Sequence, residues 1–317
     1  MRGSLGFEKV QEATMSNRIA IVWDFDKTLI PGYMQEPIFQ KYHVNGDDFW
    51  KEVNALPEKI KKEQHVRVNP DTIYLNLFIK YAKSGEFKGL NNAVLRELGK
   101  ELTFYPGLPA LMDYSKKMIE DNPIYSEYDI KVEHYIVSTG FTEMIKGSAV
   151  APYVEDIWGC ELIETPDEDG NPIISEIGYT IDNTTKTRAL FEINKGVGKI
   201  DNVNVNTKLP EELRRVQFKN MIYIADGPSD VPAFSTLNKS GGATFAIYPH
   251  NDVKAFQQVE QLRKDGRVNM YAEADYSEGT TAYIWITEKI KEIANRIRND
   301  EKAKLQASIS ATPKHLT

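Results

Sequence analysis

Apolar residues in this chain gather in two ways, as short unbroken runs and as longer stretches at helical spacing, and the two alternate. Ile19-Ala20-Ile21-Val22-Trp23 is a continuous run of the kind found in strands buried on both faces. Tyr135-Ile136-Val137, Met221-Ile222-Tyr223-Ile224-Ala225 and Thr244-Phe245-Ala246-Ile247-Tyr248 repeat the pattern. Each run stops abruptly, at Asp24-Phe25-Asp26-Lys27-Thr28, at Ser138-Thr139-Gly140, at Asp226-Gly227-Pro228-Ser229-Asp230 and at Pro249-His250. Helical patterns between the runs predict βαβ units and a parallel sheet.

The first two runs stand more than a hundred residues apart, and no strand pattern lies between them. Residues 47–65 and 90–101 read as helical. Asn69-Pro70-Asp71 opens a further helix, with a cap, a proline at the first position and an acid in the first turn, and Gly85 ends it. The expected fold is α/β, a doubly wound Rossmann-like parallel sheet with an inserted helical cap. The core is placed at 17–30 and 104–300, the cap at 31–103, and flexible ends at 1–16 and 301–317. Cys160-Glu161-Leu162-Ile163 and Ile173-Ile174-Ser175-Glu176-Ile177 flank the turn-rich Asp167–Pro172 and predict a β-hairpin. Residues 184–195 read as a helix, 196–219 show no period, and Ile286, Ile290, Ile293 and Ile297 form the stripe of a C-terminal helix.

Composition narrows the class. In 317 residues, 41% hydrophobic and 27% charged residues supply a real core and argue against global disorder. A net charge of −7 is a poor match to phosphate backbones, so no nucleic-acid partner is expected. The single cysteine, Cys160, excludes an intrachain disulfide and any cysteine cluster and fits a reducing compartment. No run approaches the roughly 20 apolar residues of a membrane span, and the N-terminus has no apolar signal region, so the cytoplasm is the expected location. The five histidines show no ligand spacing and are read as structural or exposed.

In an open parallel sheet ligands bind at the carboxyl ends of the strands, so the residues that close the runs carry the chemistry. Asp24 and Asp26, two apart on an extended chain, point the same way into one mouth. Two such charges repel unless a cation or a proton lies between them. Asp226 and Asp230, four apart across a strand-to-helix turn, fall on one helical face. Several carboxylates without histidine or cysteine make a hard-oxygen site, suited to Mg²⁺ and a substrate phosphate. Lys186 and the hydroxyl and amide groups of Ser138-Thr139-Gly140 are candidates to hold the phosphate oxygens, with Lys195 and Lys199 as alternatives to Lys186.

Asp24-x-Asp26-x-Thr28, then Ser138 after an apolar strand, then Lys186, then Asp226 with Asp230, resembles the four ordered motifs of the haloacid dehalogenase-like (HAD) phosphohydrolase superfamily. Ser138-Thr139-Gly140-Phe141, the hairpin near 160–177 and the cap after the first motif resemble its phosphoserine phosphatase-like branch. The resemblance implies Asp24 as nucleophile, Asp26 as general acid and base, and Ser138 and Lys186 as stabilisers of the phosphoryl group. It implies Mg²⁺ held by Asp24, Asp226 and the carbonyl of Asp26, with Asp230 ligating the metal or orienting Lys186. The branch's substrate-binding glutamate falls here on Tyr33, with Glu36 displaced. Thr28, Thr139, Gly140, Tyr33 and Glu36 are therefore the substrate-binding candidates. The expected activity is Mg²⁺-dependent hydrolysis of a small phosphorylated metabolite by a monomer or homodimer. Phosphotransfer or mutase activity with the same intermediate, or an inactive ligand- or protein-binding relative, are the alternatives.

Overall fold

The structure, a computed structural model, describes residues 17–310. Strand β1 (Arg18–Trp23) is followed by helices α1 (Glu36–Tyr42), α2 (Gly46–Gln64), α3 (Ile73–Ser84) and α4 (Asn92–Gly99). Helices α5 (Ala110–Glu120) and α6 (Pro123–Ser126) lead into β2 (Lys131–Phe141), α7 (Thr142–Gly147), β3 (Val154–Pro166) and β4 (Pro172–Tyr179). The rest comprises α8 (Thr185–Lys195), β5 (Met221–Ala225), α9 (Val231–Lys239), β6 (Ala243–Tyr248), α10 (Val253–Lys264), β7 (Met270–Glu273) and α11 (Thr281–Ser310).

The seven strands form one sheet in the order β4-β3-β2-β1-β5-β6-β7. All neighbours are parallel except the β3–β4 hairpin. Strand alternation divides the core in two. Ile19, Ile21 and Trp23 of β1 face one apolar cluster with α5 and α11, while Ala20 and Val22 face the other with α8, α9 and α10. The sheet is therefore covered on both faces, which is why its strands read as unbroken apolar runs. No described helix is long and apolar enough to cross a membrane.

The helices between β1 and β2 carry an aromatic cluster of their own. Phe39, Phe49, Phe78 and Phe87 are buried together, and Phe78 meets Phe141 at the end of β2 with ring centroids 5.0 Å apart. The insertion is thus packed onto the sheet's carboxyl edge. Its third helix begins at Ile73, later than Asn69-Pro70-Asp71 suggests, although Asn69 Oδ1 still accepts from the Asp71 amide; Asn69 and Asp71 also bond across to Asp182 and Asn183.

Three features depart from the sequence pattern. Strand β7 is short and carries little apolar signal. Helix α11 continues to Ser310, so residues 301–310 are helical rather than a loose tail; the other expected ends, 1–16 and 311–317, lie outside the described residues. The segment 196–220 holds only short 3₁₀ turns, at Glu211–Leu213 and Phe218–Asn220. It is pinned by single contacts instead of a periodic face. Lys195 Nζ donates to the carbonyls of Val205 and Thr207, and the Arg215 guanidinium forms a buried two-pronged pair with Glu133 of β2 at 2.6 Å on each side.

Candidate active site

Strand register builds the site. Trp23 pairs with Ile136 on one side and Ile224 on the other, so β1, β2 and β5 end nearly level. Asp24 continues the ladder by one bond, its N–H donating to the Ile224 carbonyl at 2.9 Å. Beyond it the chain turns sharply. Lys27 takes a left-handed conformation (φ 59°), and the amides of Thr28 and Leu29 both bond back to the Phe25 carbonyl. This turn aims Asp24 and Asp26 into one cleft of about 390 Å³, where Asp226 and Lys186 join them.

Lys186 sits at the start of α8, whose first turn is capped by Asp182. The Asp182 carboxylate accepts from the amides of Thr184 and Thr185 at 2.9 and 2.7 Å. From there the buried Lys186 side chain reaches Asp24 Oδ1 and Asp230 Oδ1, at 2.7 Å each. Burial by itself would lower the Lys186 pKa, but Asp230 and Asp24 outweigh it and hold the ammonium above the usual lysine value. Lys195 and Lys199 are held elsewhere, on the 196–220 segment and on Glu155. Of the three lysines, Lys186 alone lines the cleft.

The acidic residues have distinct surroundings. Asp24 accepts from Thr28 Oγ1 on its second oxygen, and burial, opposed by Lys186, raises it to about 6. Asp26 accepts from the Met34 amide at 2.9 Å, and burial together with the Asp24 charge pushes it up to about 8. Asp226 takes no hydrogen bond from any described residue; burial, then Asp24 and Asp230, raise it to about 7. Asp230 is fully buried and fully engaged, accepting from Lys186 and Tyr223 on Oδ1 and from Ser229 on Oδ2. One oxygen each of Asp24, Asp226 and Asp230 lies within 4.8 Å of the others.

The remaining candidates are divided. Thr139 and Tyr33 line the cleft. Tyr33 accepts a hydrogen bond from Lys27 Nζ at 2.8 Å and packs against Trp50. Ser138 lies at the same strand end but is buried, its Oγ accepting from the Gly140 amide. Gly140 is packed against Met34, which occupies the space of a side chain there. Thr28 is fully buried and faces Asp24 and Tyr276 rather than the cleft. Glu36 is exposed on α1, outside the cleft lining, because the helix turns its first residue to solvent.

Six residues of the cleft lining are not among the sequence candidates: Lys27, Asp71, Asn183, Pro228, Ser229 and Gln258. Helix initiation accounts for Asp71 in the sequence, and Gln258 lies mid-helix with no local signal. Asp71 Oδ2 accepts from the Asn183 amide at 3.2 Å, and Asn69 donates to Asp182 at 3.0 Å. These two bonds clasp the insertion to the loop that opens α8.

No protein-family model matches the chain. An uncharacterized protein of Borreliella burgdorferi is 40% identical over 287 residues, covering 86% of this chain and 97% of that protein. Among solved structures, a HAD family hydrolase of Salmonella enterica serovar Typhi is 15% identical with a TM-score of 0.49, covering 82% of this chain and 68% of that one. A phosphoserine phosphatase in its apo form is 13% identical with a TM-score of 0.44, over 80% of this chain and 93% of that one. A cytosolic 5'-nucleotidase IIIB bound to cytidine is 13% identical with a TM-score of 0.45, over 94% of each chain. Likeness at that level transfers no residue roles, and the site stands on its own geometry. At 40% identity over most of its length the chain belongs to one family with the Borreliella burgdorferi protein.

Proposed function

We propose that the protein hydrolyses small polar phosphomonoesters through an aspartyl-phosphate on Asp24, with Mg²⁺ as cofactor. One observation carries the reading: Asp24 is buried at a strand end with Lys186 on one oxygen, while Asp26, two residues on, is held apart by the Met34 amide. The pair thus offers one carboxylate held beside a cation and one that keeps a proton near neutrality.

In the first step an Asp24 oxygen bonds to phosphorus and the bond from phosphorus to the substrate alcohol breaks. Asp26 gives its proton to the departing oxygen, and the alcohol leaves. Asp26, now a carboxylate, takes a proton from water as that water attacks phosphorus. The Asp24–phosphorus bond breaks, phosphate leaves, and Asp26 is protonated again. Lys186 and the Thr139 region face the charge on the phosphoryl oxygens throughout.

The donor set fits Mg²⁺. Among the described residues no donor reaches the Asp226 carboxylate, and Asp24, Asp26 and Asp226, all with raised pKa values, line one cleft with Lys186 as their main counter-charge. When bound there, the ion would neutralise phosphoryl charge and favour the ionised form of Asp24. Asp24 and Asp226 are the proposed side-chain ligands. Asp230 has donors on both oxygens and is proposed to orient Lys186 instead. The cleft's size and its lining by Lys27, Tyr33, Asp71, Asn183, Ser229 and Gln258 favour a small alcohol able to form hydrogen bonds.

The test is turnover of an aryl phosphate with and without Mg²⁺, wild type against Asp24→Asn. The expected result is Mg²⁺-dependent phosphate release that Asp24→Asn abolishes. Release unaffected by Asp24→Asn, or none across a panel of phosphate esters, overturns the proposal. Transfer to an added alcohol in preference to water would make the protein a phosphotransferase.

A further inference from the structure

We infer that Tyr223, in the middle of β5, is a positioning residue for this phosphoryl transfer: its hydroxyl holds Asp230 so that Lys186 remains shared with Asp24. The inference rests on the proposed function of the same site.

Tyr223 is fully buried, on the sheet face covered by α8 and α9. Strand packing there needs only its ring, which meets Phe234 edge-on with centroids 5.5 Å apart. A hydroxyl in that position is costly to bury unless it has a partner. Its partner is Asp230 Oδ1, at 2.7 Å, the same oxygen that accepts from Lys186. Burial, and then the neighbouring Asp230 charge, hold the phenol well above its ordinary pKa, so the hydroxyl keeps the proton it donates to Asp230.

One ammonium is therefore divided between two carboxylates at equal distances of 2.7 Å. How that division falls depends on how well each carboxylate is satisfied by other donors. Tyr223 on Oδ1 and Ser229 on Oδ2 supply Asp230 with neutral donors. They lower its demand on Lys186 and leave positive charge at Asp24, where the phosphoryl group arrives. Without the hydroxyl, a fully buried carboxylate loses a donor and draws Lys186 toward itself. Substrate contacts stay intact, since Tyr223 does not line the cleft. The loss should therefore fall on kcat and on phosphoenzyme formation, with KM little changed.

The experiment is a double-mutant cycle in the full chain with Mg²⁺, using Tyr223→Phe, Asp230→Asn and both together. It reads kcat and KM on an aryl phosphate, and affinity for beryllium fluoride, which loads an aspartate as a phosphoryl mimic without turnover. Tyr223→Phe is expected to lower kcat and beryllium fluoride affinity roughly tenfold and to change KM by less than about twofold. In the Asp230→Asn background the same change should have no further effect, because the carboxylate it serves is gone. Wild-type kcat in Tyr223→Phe overturns the inference, as does a loss equally large in both backgrounds, which would mark a structural role. If Tyr223→Phe does not fold, the double variant decides: activity equal to that of Asp230→Asn supports the inference, and a further loss overturns it. A wild-type protein that neither turns over phosphate esters nor binds beryllium fluoride fails the proposed function itself and this inference with it. An active wild type with an unaffected Tyr223→Phe fails this inference alone.

Discussion

Asp24 and Asp26 carry the same side chain two positions apart, and their surroundings separate their roles. Lys186 and the Thr28 hydroxyl hold Asp24, whereas Asp26 has the Met34 amide and a pKa raised by burial to about 8. Replacing Asp26 with Asn keeps its size and removes the proton. Turnover of alkyl phosphates should fall by about 10²–10⁴-fold, and aryl phosphates, whose leaving groups need less help, should lose less in the first step. Because the second step still needs a base, the Asp26→Asn protein should accumulate aspartyl-phosphate on the better substrate. Acid-quenched labelling with radioactive phosphate ester measures it. Asp24→Asn should carry no label, and label on Asp24→Asn but not Asp26→Asn would exchange the two roles.

At the scale of elements, α8 joins the active site to the insertion. One Asp182 oxygen caps the helix, and the other accepts from Asn69 across the cleft's edge. Asp182→Ala should lower stability by about 1 kcal/mol through the lost cap. It should also lower kcat, because Lys186 lies in the turn that the cap fixes; thermal unfolding and steady-state kinetics separate the two effects. A second junction lies between α4 and α7. A side chain at Gly147 would run into the Arg96 carbonyl, and one at Gly99 into that of Met144, so the helices meet backbone to backbone. Gly147→Ala should cost about 1–3 kcal/mol by forcing them apart, measurable by urea unfolding with the slope unchanged.

Two linkages act on the whole molecule. His134 is fully buried, with Nδ1 accepting from the Trp23 indole and Nε2 beside Ser115 Oγ at 2.9 Å. An indole N–H only donates, so the ring is neutral, and burial lowers its pKa to about 3. Unfolded, it protonates near its ordinary 6.5. Between those values unfolding takes up a proton, so this residue's share of stability is intact above about 6.5 and is lost as pH falls toward 3. His134→Gln should flatten that part of the stability–pH curve relative to wild type. The acids behave in the opposite sense. With folded values raised to about 6 and 7, Asp24 and Asp226 are protonated in the folded protein at pH 5 and must ionise to accept Mg²⁺. The rise in melting temperature on adding Mg²⁺ should therefore be small at pH 5 and grow toward pH 8. A shift independent of pH would place the ion away from these carboxylates.

Much of this molecule is written locally. Runs such as Ile19–Trp23 mark strands buried on both faces, and the acids that end them mark the sheet's carboxyl edge, because both depend on residues adjacent in sequence. The hairpin and the helical insertion were legible for the same reason. Strand β7 was not, since its four residues, of which only Ala272 is buried, carry too short a pattern, and neither was the 196–220 segment, which is held by individual contacts from Lys195 and Arg215. The site is divided in the same way. Asp24, Asp26 and Asp226 were legible as strand-end acids, whereas Asp71, Asn183 and Gln258 enter the cleft only when the insertion and α10 pack against the core. The choice of Lys186 over Lys195 and Lys199 and the engagement of Asp230 by Tyr223 likewise belong to the tertiary structure. Asp24 and Lys186 stand 162 positions apart and meet at 2.7 Å, a contact fixed by strand register and helix packing that no local propensity encodes.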